Sequence, residues 1–225
     1  MTIKVKQGLE RKKELEEYFK IMNIYSDIAQ LLSYPTIGLS SQIAELKAVC
    51  LDNSAIDIME LEIIEKHFSN HDVNVLQEYY IKTFDVNAVC YLDIGYVLFG
   101  EDSKRSQFLL NMQNEQLQAN NDCGKEFPDH LPNVLTLLPK LKSNDFKEEL
   151  IVTILIPALN HMIENFTNEE NSYKYTLKIL LKLLETQYVN SDYKPFIIQT
   201  KGEDCGGLYG CGMDFSKLKN KRKFN

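Results

Sequence analysis

The sequence contains little of what turn-rich or disulfide-bonded proteins need. Its 225 residues include only ten glycines, six prolines and no tryptophan. So few turn-forming residues argue against an all-β fold with many tight turns and favour long helices. The five cysteines are an odd number and none of them forms a closely spaced pair. A secreted disulfide framework is therefore not expected.

Several functional signatures are also missing. The phosphate-binding patterns GxxxxGK[ST] and GxGxxG do not occur, and nothing resembles a nucleophile elbow. Cys205 and Cys211 lack the four short-spaced ligands of a typical zinc site. His67 and His71 are one helical turn apart, but they flank a predicted helix end and are interpreted as surface residues. The sequence therefore predicts no enzyme, no cofactor and no metal.

Charge and hydropathy restrict the partners and the location. The net charge of −7 disfavours nucleic acid, whose phosphates require a basic surface, and suits a basic partner. The longest apolar run, residues 150–159, is much shorter than a membrane span, so direct membrane insertion is not expected. Residues 1–20 alternate in charge without an apolar segment. This pattern predicts no signal peptide and a cytoplasmic protein.

Hydrophobic periodicity predicts an all-α fold, a single-domain bundle of about eight to nine helices. Residues 1–17 are interpreted as a charged extension, 18–190 as the helical domain and 191–225 as a tail. Residues 150–159 are apolar on all sides and are expected at the centre of the core. Pro157 should kink the helix that contains them, because it removes an internal hydrogen bond. The predicted helices cover approximately residues 18–33, a segment from Ser40 or Ser41, 55–68, 72–86, 90–99, 103–120, 132–142, 146–166 and 172–188.

The stretch from residue 80 to residue 132 is the least generic part of the chain. Tyr80 and Phe84 share one face of a predicted helix that ends at Asp85. A carboxylate at a helix C-terminus opposes the helix dipole, so Asp85 needs a backbone donor or Arg105 as a partner. Gly95, in the apolar segment 90–99, suggests the close approach of another helix.

Asp129 and His130 lie between two prolines in the segment Glu126-Phe-Pro-Asp-His-Leu-Pro132. This segment ends a long irregular connection, and such connections are often functional. One interpretation is that both side chains bind a partner. The other is that Asp129 only caps the helix that begins near Pro132 and that His130 only packs. Their position on a linker predicts that replacing both costs little more than a lost cap, about 1 kcal/mol.

In this order and spacing, the motifs resemble those of the NarJ-type assembly chaperones of respiratory nitrate reductase, within the TorD/DmsD superfamily. The resemblance spans residues 20–190 and is carried by Tyr-x-x-x-Phe-Asp at 80–85, Gly-Glu at 100–101, Arg105 and Phe-Pro-Asp-His-Leu-Pro at 127–132, where Phe127 replaces the usual leucine. It implies a cytoplasmic chaperone, monomeric or homodimeric. Such a chaperone binds the N-terminal segment of a molybdoenzyme catalytic subunit, most closely the nitrate reductase alpha subunit. It assists molybdenum cofactor insertion before membrane docking.

The resemblance also implies a groove for a short basic amphipathic peptide. Aromatic side chains would pack on the apolar face of the peptide, and carboxylates such as Asp93 would meet its Arg or Lys residues. The alternative is a helical protein-interaction adaptor unrelated to molybdoenzymes, in which residues 126–132 are only a helix entry. The residues implied in the groove are Tyr80, Phe84, Asp85, Tyr91, Tyr96, Arg105, Asp129, His130 and Pro132.

Overall fold

The structure, a computed structural model, describes residues 23–50 and 56–197. The charged N-terminal segment 1–17, Cys205 and Cys211 lie outside the described residues. Between residues 23 and 197, apart from the gap at 51–55, the chain is helical and has no strand, which confirms the all-α prediction. The helices are α1 over residues 23–31, α2 Leu39–Cys50, α3 Ile58–Asn70, α4 Val73–Phe84, α5 Ile94–Phe99, α6 Ser103–Gln118, α7 Leu131–Leu137, α8 Asn144–Leu150, α9 Ile156–Glu164 and α10 Ser172–Gln187.

Most helix ends follow from local side-chain chemistry. The first helix ends before Tyr34-Pro35, as predicted, because the residue before proline avoids the α region. The oxygen-bearing side chains that precede five of the helices accept an N–H of the first turn, which would otherwise be unpaired. These N-caps are Asp57, Asp72, Asp102, Ser143 and Asn171.

The helices α8 and α9 form one continuous rod, joined by a single π turn at Ile151–Leu155. With this rod counted once, the part of the chain that the structure describes holds nine helices, within the predicted number. Ile151, Leu155 and Leu159 are fully buried, which confirms the predicted central position of residues 150–159. Burial on all sides is expected of a helix without a polar face.

The hydrogen bonding of the rod changes before Pro157, where this π turn lies. The N–H of Ile156 donates to the carbonyl of Ile151, five residues earlier. A proline has no N–H for the carbonyl four residues before it, here that of Thr153. The backbone N–H of Phe196 donates to that carbonyl instead, at 2.9 Å. The segment 191–197 is thereby joined to the rod.

The predicted helix over residues 90–99 is wrong in its first part, since α5 covers only Ile94–Phe99. After α4 the chain turns through Asn87, whose φ is +53°, a left-handed conformation that asparagine tolerates at helix C-termini. Asp93 is the N-cap of α5 and not a residue inside a helix. Residues 90–93 instead form an irregular segment with two bends, and Asp93 at its end makes a single β-bridge to His130 of the 126–132 linker.

Tyr173 of α10 lies at the centre of an aromatic cluster and is fully buried. The ring centroid of Phe84 is 4.7 Å from that of Tyr173, and the centroid of Tyr80 is 6.0 Å away. Phe68 of α3 and Tyr79 of α4 pack on the same ring, each at 5.5 Å. The face of α4 that carries Tyr80 and Phe84 is therefore fixed by the core.

Candidate functional site

The N-terminus of α5 is tied to the 126–132 linker by an isolated antiparallel bridge between Asp93 and His130. The N–H of Ile94 donates to the carbonyl of Asp129 at 3.1 Å. The N–H of Leu131 donates to the carbonyl of Leu92 at 2.8 Å. We call these residues, 92–95 and 129–131, together with Arg105, the Asp93–His130 junction.

The acidic and imidazole side chains of the junction reach across to the opposite segment. Asp93 and His130 precede α5 and α7 respectively, yet neither side chain caps its own helix. Instead, Nδ1 of His130 lies 3.0 Å from Oδ1 of Asp93. The carboxylate of Asp129 accepts the N–H of Gly95 at 2.9 Å, so Asp129 caps α5 and not the helix near Pro132. The alternative interpretation from the sequence assigned Asp129 to the wrong helix.

Asp129 is fully buried, and its second carboxylate oxygen, Oδ1, has no hydrogen-bond partner. Burial, together with the nearby carboxylate of Asp93, raises the pKa of this carboxyl to about 6. The N–H of Gly95 and the guanidinium of Arg105 oppose that rise in pKa. Asp129 lies on the linker as predicted, but its full burial argues against the expectation that it can be replaced at little cost to stability.

Gly95 permits the approach of Asp129 and of α6. A Cβ at this position would lie 2.6 Å from Oδ2 of Asp129 and 2.8 Å from Cδ1 of Phe108. Both distances are shorter than van der Waals contact allows. The close approach suggested by the glycine is therefore confirmed.

Arg105 covers the junction from α6. Its guanidinium carbon lies 5.0 Å from the ring centroid of Tyr96 and 5.7 Å from that of Phe127, which are cation–π distances. Its Nη2 is 3.6 Å from Oδ2 of Asp93. Arg105 thus pairs with Asp93 and not with Asp85, the partner considered from the sequence.

A cleft of about 510 Å³ lies beside the junction. Six of the nine residues predicted from the sequence line it: Tyr80, Phe84, Asp85, Tyr91, His130 and Pro132. Tyr96, Arg105 and Asp129 belong to the packing behind it. The remaining residues of the lining are Ser33, Tyr34, Ile81, Leu92, Asp93, Glu126 and Asn133.

The walls of the cleft are aromatic. The ring of Tyr34 meets that of Tyr80 edge-on at 5.6 Å, and Tyr80 meets Phe84 at 5.1 Å. On the other side Tyr91, which is 46% exposed, packs edge-on against Tyr96 at 4.8 Å. Sequence reasoning missed Tyr34, because its place before a proline explained it as a helix end.

The charge of the cleft is negative. Burial raises the pKa of the Tyr80 hydroxyl, and the carboxylates of Glu126, Asp85 and Asp93 raise it further, because they face the same space. Among the described residues that line the cleft there is no lysine or arginine. The arrangement suits a cationic group flanked by apolar ones.

The second histidine pair lies elsewhere, at the end of α3. The ring of His67 makes tilted contacts with the rings of His71, at 4.9 Å, and of Tyr79, at 4.3 Å. Burial, with the nearby His71, lowers the pKa of His67 to about 4. Within residues 23–50 and 56–197 no group of three or more potential ligands gathers to hold a metal ion. His71 is exposed as predicted, whereas His67 is half-buried.

Comparison with known proteins does not identify the chain. A scan against protein-family models found no match, and a search of curated proteins found no significant match. In the part of the chain that the structure describes, the helices are too short or too polar to cross a bilayer. The resemblance to the NarJ-type chaperones therefore depends on the motifs of residues 80–132 alone.

Proposed function

We propose that this chain is a cytoplasmic chaperone for a molybdoenzyme. It binds the N-terminal segment of the catalytic subunit, with respiratory nitrate reductase as the most similar system, while molybdenum cofactor is inserted and before the enzyme docks at the membrane. The observation that supports this proposal best is the aromatic, acidic cleft. Its lining includes residues from two of the stretches that carry the family motifs, 80–85 and 127–132.

The chemistry of the cleft fits a short basic amphipathic peptide. A volume of about 510 Å³ accommodates a few side chains and not a folded domain. The tyrosine and phenylalanine rings offer contact for apolar anchors, and these anchors supply most of the affinity in such complexes. The carboxylates of Asp85, Asp93 and Glu126 meet cationic side chains and mainly speed association.

The test is calorimetry with the N-terminal peptide of a molybdoenzyme catalytic subunit encoded beside this chain. Tyr91→Ala should weaken binding about tenfold, because truncating an aromatic anchor commonly costs 1–2 kcal/mol. The matched control is Tyr175→Ala on α10, a half-exposed tyrosine away from the cleft, which should leave affinity unchanged. Raising the salt concentration should weaken binding only several-fold.

Failure of every such peptide to bind would count against the proposal. The same lining also supports the adaptor alternative, because an aromatic, acidic cleft accepts basic segments from many kinds of protein. Reductase activity in cells separates the two. Under the chaperone proposal, Tyr91→Ala should lower the amount of cofactor-loaded reductase, while the variant chain itself stays folded. An adaptor unrelated to molybdoenzymes should leave that amount at the wild-type level.

A further inference from the structure

The last stretch of the chain has the chemistry expected of a client. Residues 215–225 contain five basic residues and no acidic one, interleaved with Phe215, Leu218 and Phe224. We propose that this segment, which we call the basic segment, binds in the cleft of its own chain and competes there with the client peptide. The competition, though not the binding itself, rests on the function proposed above.

Charge and polarity match on both sides. The cleft offers the carboxylates of Asp85, Asp93 and Glu126, and none of its described lining residues is a lysine or arginine. The basic segment offers Lys217, Lys219, Lys221, Arg222 and Lys223. Its apolar side chains alternate with these cations, as in a peptide that fills an aromatic groove with an acidic rim.

The described part of the chain ends at residue 197, and the segment before that end is anchored near the cleft. Phe196 is anchored by the bond from its N–H to the carbonyl of Thr153, and its ring lies 5.1 Å from that of Phe99. Phe99 is the last residue of α5, and Asp93, at the other end of that helix, lines the cleft. A helix of six residues is about 9 Å long. The anchor is therefore about one short helix from the edge of the cleft.

The connection is long enough for this contact. Residues 198–214 join the anchored segment to the basic segment, and 17 residues span up to about 56 Å when extended. A short tether of this kind gives an effective concentration of about 1 mM. If the free basic segment had a Kd of about 10 µM, it would fill the cleft in roughly 99% of molecules and weaken a competing peptide about 100-fold.

The experiment compares the full wild-type chain with a full-length tail-neutral variant. In that variant Lys217, Lys219, Lys221, Arg222 and Lys223 are changed to Gln. The probe is a fluorescently labelled synthetic peptide of residues 213–225, followed by anisotropy. We expect the probe to bind the tail-neutral variant at least ten times more tightly than the wild-type chain. Equal affinity for the two proteins, or no binding to either, would overturn the proposal.

Two further substitutions locate the binding. Adding Asp85→Lys and Glu126→Lys to the tail-neutral variant should abolish probe binding, and both side chains are exposed, so the fold should be kept. Tyr91→Ser in the same background should also weaken binding. The matched control adds Glu170→Lys and Glu185→Lys, which lie on exposed surface away from the cleft, and should leave binding unchanged. Loss of binding in the control alone would place the site elsewhere and overturn the proposal.

A second arm uses the client peptide, so that the two proposals fail differently. If the client peptide binds the wild-type chain and the tail-neutral variant equally, the inference is overturned and the proposed function stands. If the probe behaves as expected but no client peptide binds, the proposed function fails and binding of the basic segment stands. If the competition between the basic segment and the client peptide grows with protein concentration, the basic segment of one copy binds the cleft of another copy. That result would overturn the proposal that the segment binds the cleft of its own chain.

Discussion

The α8–α9 rod and the Asp93–His130 junction both contain fully buried side chains, but these side chains have opposite chemistry. In the rod, Ile151, Leu155 and Leu159 lose all contact with water and bring only apolar atoms. Burial of such side chains contributes roughly 1.5–3 kcal/mol each. In the junction, Asp129 is equally buried, yet one N–H pairs with one of its oxygens and the other oxygen is unpaired. Burying a carboxylate in this way opposes folding.

The rod and the junction have different roles in this fold. The rod supplies stability and needs no particular partner, because apolar packing is not directional. The junction places Asp93 and His130 at the edge of the cleft, and the backbone bridge and the carboxylate of Asp129 hold them there. Substitutions in the rod should therefore act on stability, and those in the junction on stability together with the cleft.

The largest effect is expected in the rod. Ile154→Asp places an unpaired charge among buried apolar side chains and should prevent folding, because that change costs several kcal/mol. The measurement is thermal melting followed by circular dichroism. The control is Ile37→Asp, the same change at a side chain that is 91% exposed, which should melt like wild type. A wild-type melting curve for Ile154→Asp would contradict the central position of the rod.

The next effect is expected at the closest contact of the junction. Gly95→Ala should destabilise the fold by about 2–3 kcal/mol, since its Cβ would overlap both Asp129 and Phe108. The double substitution Gly95→Ala with Asp129→Ala relieves one of these overlaps and should be less destabilised than the sum of the two single changes. Denaturant unfolding measures all three variants. Additive effects would show that Gly95 and Asp129 do not interact.

The sequence predicted the rod better than the junction, for a physical reason. The continuous apolar segment of residues 150–159 is a local signal, contained in one short stretch of the chain. The contact between Asp129 and Gly95 joins residues 34 positions apart, and nothing near either residue announces the other. The same long-range pairing explains why residues 90–93 were wrongly predicted to be helical.

The cleft residues were predicted less completely than the rod and more completely than the contacts of the junction. Five of the lining residues, Tyr80, Phe84, Asp85, His130 and Pro132, were identified because they belong to the motifs that resemble those of the NarJ-type chaperones. Tyr34 and Glu126 were missed, since each has an ordinary local role beside a proline or in a loop. Which face of α4 meets which loop is decided by packing on Tyr173, and periodicity alone does not encode that choice.

A smaller effect, dependent on pH, is expected from Asp129→Asn. The pKa of Asp129 is about 6 in the folded chain, above its ordinary value of 3.8. The folded state therefore binds this proton more tightly, and the resulting stability is complete below about pH 4 and lost as pH rises through 6. Between pH 4 and pH 7 the wild-type chain should lose on the order of 2 kcal/mol relative to the variant.

Denaturant unfolding at several pH values checks this difference. The control is Asp122→Asn, which removes an exposed carboxylate that also accepts the N–H of a glycine, Gly124. Its stability should follow that of the wild-type chain. Parallel stability curves for Asp129→Asn and the wild-type chain would show that the buried carboxylate does not change its charge in this range.

The smallest effect is expected where the segment 191–197 meets the rod. Phe196→Ala removes the ring contact with Phe99 and should cost about 1 kcal/mol, while the backbone bond to Thr153 remains possible. Val189→Ala, at a side chain that is 74% exposed, should cost less than about 0.5 kcal/mol. Equal stabilities in denaturant unfolding would contradict the packing of this segment.

The bridge between Asp93 and His130 has a consequence for how the molecule opens. The bridge holds together the two ends of the segment 94–129. All of α6 lies within that segment. A segment of this kind can unfold locally as one cooperative unit when the bridge breaks, and its amide hydrogens then exchange together. An occupant of the cleft touches Asp93 and His130 but no residue of α6, since none lines the cleft. By stabilising the bridge between Asp93 and His130, an occupant of the cleft should slow deuterium uptake along α6, a helix that it does not contact.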